Sequence, residues 1–181
     1  PPIAIQGIHA PHKITLLSSL AFDIPLNFKS TYLEGITKID NYDFEYANEL
    51  GYTIKLLSVA SKSKDMIQQR VHTCFVKIGS EIAKVENETN AVVIEDSVIG
   101  RNMLIGPGAG AGPTGASVMS DLMDIVRETK NYPLGVSINK KKIMSIAKIE
   151  DLFLAYYLRI SALDKAGVMA KISKALSKRK I

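Results

Sequence analysis

Two runs of β-branched and aromatic residues place the strongest constraint on the fold of this chain. Tyr52–Ala60 and Gln69–Ile78 each have the length and composition of a buried strand. The polar segment Ser61–Asp65 between them predicts a turn. A second pair of strands is predicted at Asn90–Glu95 and Met103–Gly106, separated by a stretch with turn-forming residues. The core of the chain is therefore expected to be a sheet.

Helical patterns lie between these strands and predict that helices cover the sheet. Pro11 suits the first turn of a helix that runs to about Phe22. Asp40 opens a second predicted helix, which Gly51 ends, and Thr114–Lys130 has the apolar spacing of a third. The sequence thus predicts an α+β fold: a mostly antiparallel or mixed β-sheet covered by helices.

Composition narrows the class of protein. With 181 residues and 46% hydrophobic content, the chain can bury one good core and carry a small appendage. No stretch reaches the ~20 apolar residues of a membrane span, and the start shows no signal-peptide pattern. The single cysteine, Cys74, excludes an intramolecular disulfide, so a cytoplasmic location is expected. Cys74 is interpreted as a small core residue rather than a nucleophile.

The basic net charge of +5 does not indicate nucleic-acid binding. The whole excess lies in residues 171–181, which hold five cations and no acid, and no aromatic residues are interleaved with them. Cations at the end of one helix are typical of a solvated face that complements the helix dipole. We therefore predict neither a nucleic-acid nor a membrane partner.

Lys13 is the residue that the sequence most clearly suits to a chemical role. In the predicted first helix it shares a face with Leu17, Leu20 and Ala21 at helical spacing. Desolvation on that face, together with the positive end of the helix dipole, would favour the neutral amine and allow it to exchange a proton. The same spacing also fits a lysine whose stem covers apolar surface while its ammonium group stays in water.

The three histidines do not predict a metal site. His9 and His12 are three residues apart and could in principle share a metal ion. No third ligand follows at a recognisable spacing, and His72 belongs to a predicted strand. We therefore predict no bound metal.

A glycine-rich loop is the second candidate site. Residues 106–112 contain four glycines directly before a predicted helix, so backbone amides could approach a ligand closely. The lysine of a phosphate-binding P-loop is absent, and such a loop is also common as a flexible connector.

The run Gly7-x-x-Ala10-x-His12-Lys13 resembles the helix start that carries the catalytic lysine in homoserine dehydrogenases. The resemblance continues in the same order through residues 7–130, at Tyr32–Ile36, Ala47–Leu57, Arg70-Val71, Asn90–Val92, Gly106–Gly110 and Pro113-Thr114. Several collinear motifs are far more specific than any one of them.

This resemblance implies an NAD- or NADP-dependent oxidoreductase of threonine and methionine biosynthesis. Its reaction interconverts L-homoserine and L-aspartate 4-semialdehyde, with Lys13 as the catalytic, substrate-contacting proton carrier. The family also implies a homodimer. The glycine-rich loop would lie against the cofactor through Gly106, Gly108, Ala109, Gly110, Pro113 and Thr114. The family's Rossmann domain, which holds most of the cofactor, has no counterpart at the start of this sequence, so we expect an excised portion that is inactive in isolation.

The sequence departs from the family at the expected substrate-binding acids. His9 stands where relatives carry an aspartate four residues before the lysine, Ala4 replaces another aspartate, and an expected glutamate would precede Pro1. His9 cannot act as an anion, but it could accept a hydrogen bond from the substrate and is kept as a candidate substrate-binding residue. These losses leave open an alternative: a non-catalytic regulatory or assembly module.

The sequence pattern changes after about residue 130, from a helical pattern to one typical of a linker. Residues 1–130 are interpreted as the catalytic domain and 131–154, which include Lys140–Lys142, as an exposed linker. Residues 155–181 resemble the opening of an amino-acid-binding ACT domain, with a strand at Ala155–Leu163 and a helix at Met169–Leu176. One strand and one helix cannot bury a core. Threonine regulation is therefore not expected of this portion, which should be ordered only by docking.

Overall fold

The computed structural model describes residues 9–64, 66–129 and 132–179. Its contacts divide the chain into two units, one ending at Asp151 and the other beginning at Leu152. Ala4 and Gly7, which entered the family comparison, lie outside the described residues. The elements in chain order are α1 (His9–Phe22), β1 (Tyr32–Leu33), α2 (Asn41–Glu49), β2 (Tyr52–Ser63), β3 (Met66–Lys77), β4 (Thr89–Asp96), β5 (Gly100–Pro107), α3 (Ala111–Val126), β6 (Ser145–Ile146) and α4 (Val168–Ser177).

The first unit is built on a mixed sheet, and the predicted fold class is confirmed. β2 and β3 form an antiparallel hairpin in continuous register from Tyr52↔Lys77 to Ser63↔Met66. β2 extends to Ser63 and β3 begins at Met66, so both strands are longer than predicted and the turn between them is shorter. β1 and β6 both pair with β3 in parallel. The predicted strand pair β4–β5 is also confirmed, as a separate antiparallel hairpin.

Helix α1 packs on β2 and β3 through small hydroxyl side chains rather than through its leucines. Thr15, Ser18 and Ser19 are buried together with Ile14. Their hydroxyls are satisfied, because Thr15 donates to Pro11 O and Ser18 to Ile14 O, both at 2.7 Å. Small side chains allow the helix backbone to approach the sheet closely, and each internal hydrogen bond avoids the cost of an unpaired buried hydroxyl.

A side-chain relay joins the middle of α1 to β3. The Oγ1 atoms of Thr15 and Thr31 lie 3.3 Å apart, and Thr31 Oγ1 donates to Gln69 Oε1 at 3.1 Å. Gln69 is buried on β3 beside Ile67 and Val71, which are fully enclosed. Hydrogen bonds have directional geometry, so this relay fixes the rotation of α1 more tightly than apolar packing alone would.

Helix α2 begins and ends as its sequence predicted. Asp40 and Asp43 form a capping box, in which each carboxylate accepts the other residue's backbone N–H. Gly51 follows the helix with a φ of +81°, which suits glycine. The buried face of α2 carries Asp43 and Ala47, whereas Phe44 and Leu50 are exposed.

The linker expected at 131–154 stays a prediction, but its described residues up to Asp151 belong to the first unit. Ser145-Ile146 pairs with β3, and the N–H of Ala147 donates to Ile67 O at 2.8 Å. The β3 edge beyond β1 has backbone groups that require partners, and β6 supplies them. Lys141 is half-buried and bonded to α1. The boundary between the two units falls after Asp151 rather than after residue 154.

The second unit contains a helix but not the predicted strand. α4 (Val168–Ser177) matches the prediction and follows Gly167, whose φ is +84°. Ala155–Leu163 forms no strand, a correction to the predicted ACT-like β-α appendage. A strand needs a hydrogen-bonding neighbour, and the ladders of the described residues include none for this segment. Of the described helices, none combines the length and hydrophobicity that crossing a membrane requires.

Candidate functional site

The first candidate site is the exposed side of α1, where Lys13 and His9 lie one turn apart. Lys13 shares this side with Leu17 and Leu20, as the spacing predicted, but the side chains there are 40% and 53% exposed for the two leucines and Lys13 is exposed as well. The predicted desolvation of Lys13 is therefore not provided by the described residues. The hydroxyl side of α1 faces the sheet instead, so the structure presents Lys13 outward from a firmly seated helix.

His12 does not project with His9. Its ring stacks on Phe28, with centroids 4.1 Å apart and planes 9° from parallel. The two rings border a small cleft of about 170 Å³ that is also lined by Thr15, Leu16 and Leu26. His12 thus holds the start of α1 against the Phe28–Ser30 turn. Within residues 9–64, 66–129 and 132–179, no group of three His, Cys, Asp or Glu side chains is arranged to hold a metal ion.

The second candidate site is the glycine-rich connection from β5 to α3. β5 ends at Pro107 and α3 begins at Ala111, three residues earlier than predicted. Gly110 precedes the helix with a φ of +116°, a conformation that favours glycine. Gly108 donates its N–H to Glu88 O at 2.8 Å, and a Cβ there would overlap the Asn90 side chain. Gly110 is favoured by its backbone conformation, whereas a side chain at Gly108 would require the Asn90 side chain to move.

The surface beside this connection is open. A Cβ at Gly106, Gly112 or Gly115 would meet nothing within 4 Å. Thr114 donates its N–H to Gly110 O at 3.1 Å, the first bond of the helix, so the amides of Ala111 and Gly112 precede that ladder. A flat or anionic group can therefore approach this backbone without obstruction.

The structure keeps the two candidate sites in different parts of the first unit. α1 contacts β2, β3 and the Phe28–Ser30 turn. The hydrogen bonds described above for the glycine-rich connection run to Glu88 and within α3.

A row of polar residues on β3 was not recognised as a cluster in the sequence. Arg70 Nε donates to His72 Nε2 at 3.0 Å, and Cys74 Sγ lies 3.5 Å from His72 Nδ1. Alternation at i, i+2 along a strand was the signal that could have revealed it. Burial raises the pKa of the Cys74 thiol, against the opposing effect of the Arg70 charge. Cys74 does have a histidine neighbour, but the raised pKa argues against a nucleophile.

A larger cleft shares no lining residue with either candidate site. It measures about 340 Å³ and is lined by α2, the start of β2 and the segment after β3, with Phe44, Tyr52, Lys55 and Lys84 among its walls. Lys55 Nζ donates to Val85 O at 2.7 Å, so this ammonium group has a structural partner.

Comparison with known proteins identifies the family. The family model described as homoserine dehydrogenase matches residues 1–123, and the chain belongs to that family. Proteins named homoserine dehydrogenase from Pseudomonas aeruginosa and Helicobacter pylori are 40% and 36% identical over the whole chain, which covers 43% and 42% of their lengths. The chain thus spans about two fifths of these curated relatives.

Solved structures agree with this assignment. The crystal structure of a homoserine dehydrogenase from Thiobacillus denitrificans superimposes with a TM-score of 0.83 at 32% identity, covering 98% of this chain and 42% of that one. A homoserine dehydrogenase from S. aureus at pH 6.5 gives a TM-score of 0.66 over 70% of this chain. The fold described above is therefore that of a portion of a homoserine dehydrogenase.

Proposed function

We propose that this chain is the catalytic, substrate-binding portion of an NAD(P)-dependent homoserine dehydrogenase. The parent enzyme interconverts L-homoserine and L-aspartate 4-semialdehyde in threonine and methionine biosynthesis. The observation that carries the proposal is the position of Lys13: within the matched residues 1–123, it projects from a helix whose opposite side is bonded to the sheet. A proton carrier needs such a fixed base and an open approach for the substrate.

Lys13 moves the proton of the reaction. The cofactor, when bound, supplies or accepts the hydride. As hydride reaches the carbonyl carbon of the semialdehyde, Lys13 Nζ donates a proton to the carbonyl oxygen, and in the reverse direction it accepts the hydroxyl proton. Closure of the exposed α1 side by substrate and the remainder of the parent would desolvate this amine, which favours its neutral form.

His9 is proposed to contact the substrate. It is exposed one turn before Lys13 on the same side of α1. A neutral imidazole nitrogen can accept a hydrogen bond from the substrate ammonium group. The aspartate usual in the family would add a charge to that contact.

The glycine-rich connection is proposed to form one wall of the nicotinamide cofactor site. The open backbone at Gly106 and Gly112 and the two amides that precede the α3 ladder fit a planar or anionic group. The proposed cofactor-contacting residues remain Gly106, Gly108, Ala109, Gly110, Pro113 and Thr114. Most of the cofactor surface, including the part that distinguishes NAD from NADP, is assigned to the length of the parent that this chain does not span.

The organisation of the parent follows the same proposal. Residues 1–130 would serve catalysis, 155–181 would begin an ACT-like region, and the enzyme would act as a cytoplasmic homodimer. The alternative of a regulatory or assembly module keeps two supports: the loss of the aspartate at His9, and the sequence resemblance of residues 155–181 to the opening of an ACT domain.

Substitution of Lys13 in the full-length parent tests the proposal. Lys13→Ala should lower homoserine-dependent NAD(P)H formation on the order of 100- to 10,000-fold, the usual contribution of a positioned acid–base group. Lys13→Arg distinguishes loss of the charge from loss of proton transfer, because arginine keeps the charge but cannot give up its proton near neutral pH. Lys29 is an exposed lysine in the turn after α1, and Lys29→Ala should leave the rate of NAD(P)H formation unchanged.

The outcomes separate the two candidate functions. A loss smaller than about tenfold in Lys13→Ala would leave Lys13 as a solvated lysine. A wild-type parent without homoserine-dependent activity would instead favour the regulatory or assembly module.

A further inference from the structure

The last turn of α1 is fastened by a segment that comes much later in the chain. Lys141 Nζ donates hydrogen bonds to Ser19 O and Leu134 O, both at 2.9 Å, and its partner Ser19 lies 122 residues earlier. The N–H of Lys142 donates to Asp23 O at 2.7 Å. The segment that makes these contacts lies outside residues 1–123, to which the family match is confined.

The C-terminus of α1 is well suited to receive a cation. The last four carbonyls of a helix lack partners within it and carry the negative end of the dipole. Ser19 O is one of them, because α1 ends at Phe22, and the last turn of α1 contains no basic residue of its own. Asp23 then leaves the helix with a φ of +54°, which exposes the carbonyl that Lys142 contacts. Lys141 therefore supplies a charge that the helix itself lacks.

Lys141 differs from its neighbours in the basic run. Lys140 and Lys142 have exposed side chains, whereas Lys141 is half-buried. The same segment continues into β6, which pairs with β3 at Ile67. The Lys141 contact is thus part of a segment that is itself anchored to the sheet.

These bonds hold the helix that carries Lys13 at two points, its middle and its end. At its middle, α1 is bonded through Thr15 and Thr31 to Gln69 on β3. At its end, it is bonded through Lys141 to a segment that pairs with the same strand. With a rise of ~1.5 Å per residue, Lys13 lies only about 9 Å along the axis from Ser19.

We infer that Lys141 is a positioning residue for the dehydrogenase reaction. Its contacts fix the position and tilt of α1 on the sheet and thereby the position of the Lys13 amine. This inference rests on the proposed role of Lys13. A misplacement of about 1 Å at a reacting group can cost on the order of 100-fold in rate. Without the Lys141 contacts, α1 would be held by the His12–Phe28 stack at its start, the Thr15 relay at its middle and the Lys142 backbone bond after its end, so its last turn could shift and change the tilt of the helix.

Three variants of the full-length parent test the inference: Lys141→Met, Lys141→Arg and Lys142→Met. Methionine keeps the length of the side chain but removes its donors. Lys142→Met removes the same charge from the adjacent position and leaves the backbone bond to Asp23 intact. Arginine can donate to two carbonyls and should restore the contact.

We expect Lys141→Met to lower kcat roughly 10- to 100-fold at a temperature where it is fully folded, with the KM for NAD(P) unchanged. Lys141→Arg should recover most of that loss, and Lys142→Met should match the wild type. A Lys141→Met enzyme with a lower Tm but a wild-type kcat would reduce Lys141 to a structural residue and overturn the inference.

Hydrogen exchange provides a readout that needs no activity. Amides in the last turn of α1 should exchange on the order of tenfold faster in Lys141→Met than in Lys142→Met, because a charge-assisted contact is lost. Equal exchange would overturn the inference regardless of turnover. A wild-type parent without activity refutes the proposed function and, with it, any role of Lys141 in the reaction, whereas an active parent insensitive to Lys141→Met refutes this inference alone.

Discussion

His9 and Lys13 lie one helical turn apart on the exposed side of α1, and their chemistry depends on what covers that side. Two groups at this spacing can both reach a small molecule that lies across the helix. Histidine at the first position cannot supply a negative charge, whereas the aspartate implied by the family resemblance would. The charge at position 9 should therefore control substrate affinity more than proton transfer.

Restoring the carboxylate should strengthen substrate binding. We expect His9→Asp in the full-length parent to lower the Kd for homoserine roughly five- to tenfold, because a hydrogen bond to a charged group contributes about 1–1.5 kcal/mol more than the neutral bond that it replaces. Isothermal calorimetry measures this, with His9→Asn as the uncharged control. Equal affinities of the aspartate and wild-type enzymes would mean that the pocket is adapted to histidine.

The Cys74 thiol should have low reactivity despite its histidine neighbour. Burial raises its pKa, so at any given pH near 8 the folded chain holds less thiolate than the denatured chain. Alkylation by iodoacetamide should be slower in the folded chain. Its rate should keep rising with pH beyond the point at which the denatured thiol reaches its plateau. A faster folded-state rate at pH 8 would show an activated thiol and contradict this expectation.

At the scale of elements, the sequence predicted which segments become helices and strands better than which faces they bury. β2 and β3 follow from runs rich in β-branched residues, and β4 and β5 follow from two short runs on either side of turn-forming residues. The burial of α1 does not follow from hydropathy, because its serine and threonine side faces the sheet and Leu16 and Leu20 are exposed. Hydroxyls that bond to their own helix can be buried at little cost, an effect that a hydrophobic pattern cannot show.

The candidate site was predictable to a similar extent. The positions of Lys13 and of the glycine-rich connection were readable from the sequence, since both depend on local helix starts and glycine geometry. The Lys141 contact was not readable, because it joins residues 122 apart and a run of lysines ordinarily indicates solvent exposure. Likewise, the strand expected at Ala155–Leu163 requires a partner that local sequence cannot supply.

The capping box of α2 should contribute measurably to stability. Asp40 accepts the N–H of Asp43 at 3.3 Å, so Asp40→Ala should lower the free energy of unfolding by about 1 kcal/mol. Urea denaturation of the chain measures this. Asp40→Asn, which keeps an acceptor oxygen, should lose less, and Glu45→Ala on the exposed side of α2 should lose little. If Asp40→Ala and Glu45→Ala had the same urea midpoint, the capping box would contribute nothing measurable to stability.

At the scale of the whole molecule, the described part of the chain leaves much apolar surface uncovered. Helix α3 buries none of its residues, and Leu104 and Ile105 on β5 are 63% and 62% exposed. β2 borders the sheet with β3 as its only strand neighbour among the described residues. Large apolar patches and long free strand edges are typical of surfaces that pair with another chain or domain. The expected occupants are the remainder of the parent and a second copy.

The isolated chain should consequently self-associate and yet lack dehydrogenase activity. A two-fold homodimer is the commonest closed arrangement, and it would cover the β2 edge or the α3 surface of each copy with the same surface of the other. Cofactor binding should fail, because the glycine-rich connection supplies a single wall and holds none of the phosphate contacts of a Rossmann turn. Light scattering over a concentration series should therefore report a dimer or a larger species, and calorimetry should detect no NADPH binding at micromolar concentration. A strict monomer would contradict the first expectation, and micromolar NADPH affinity would contradict the second.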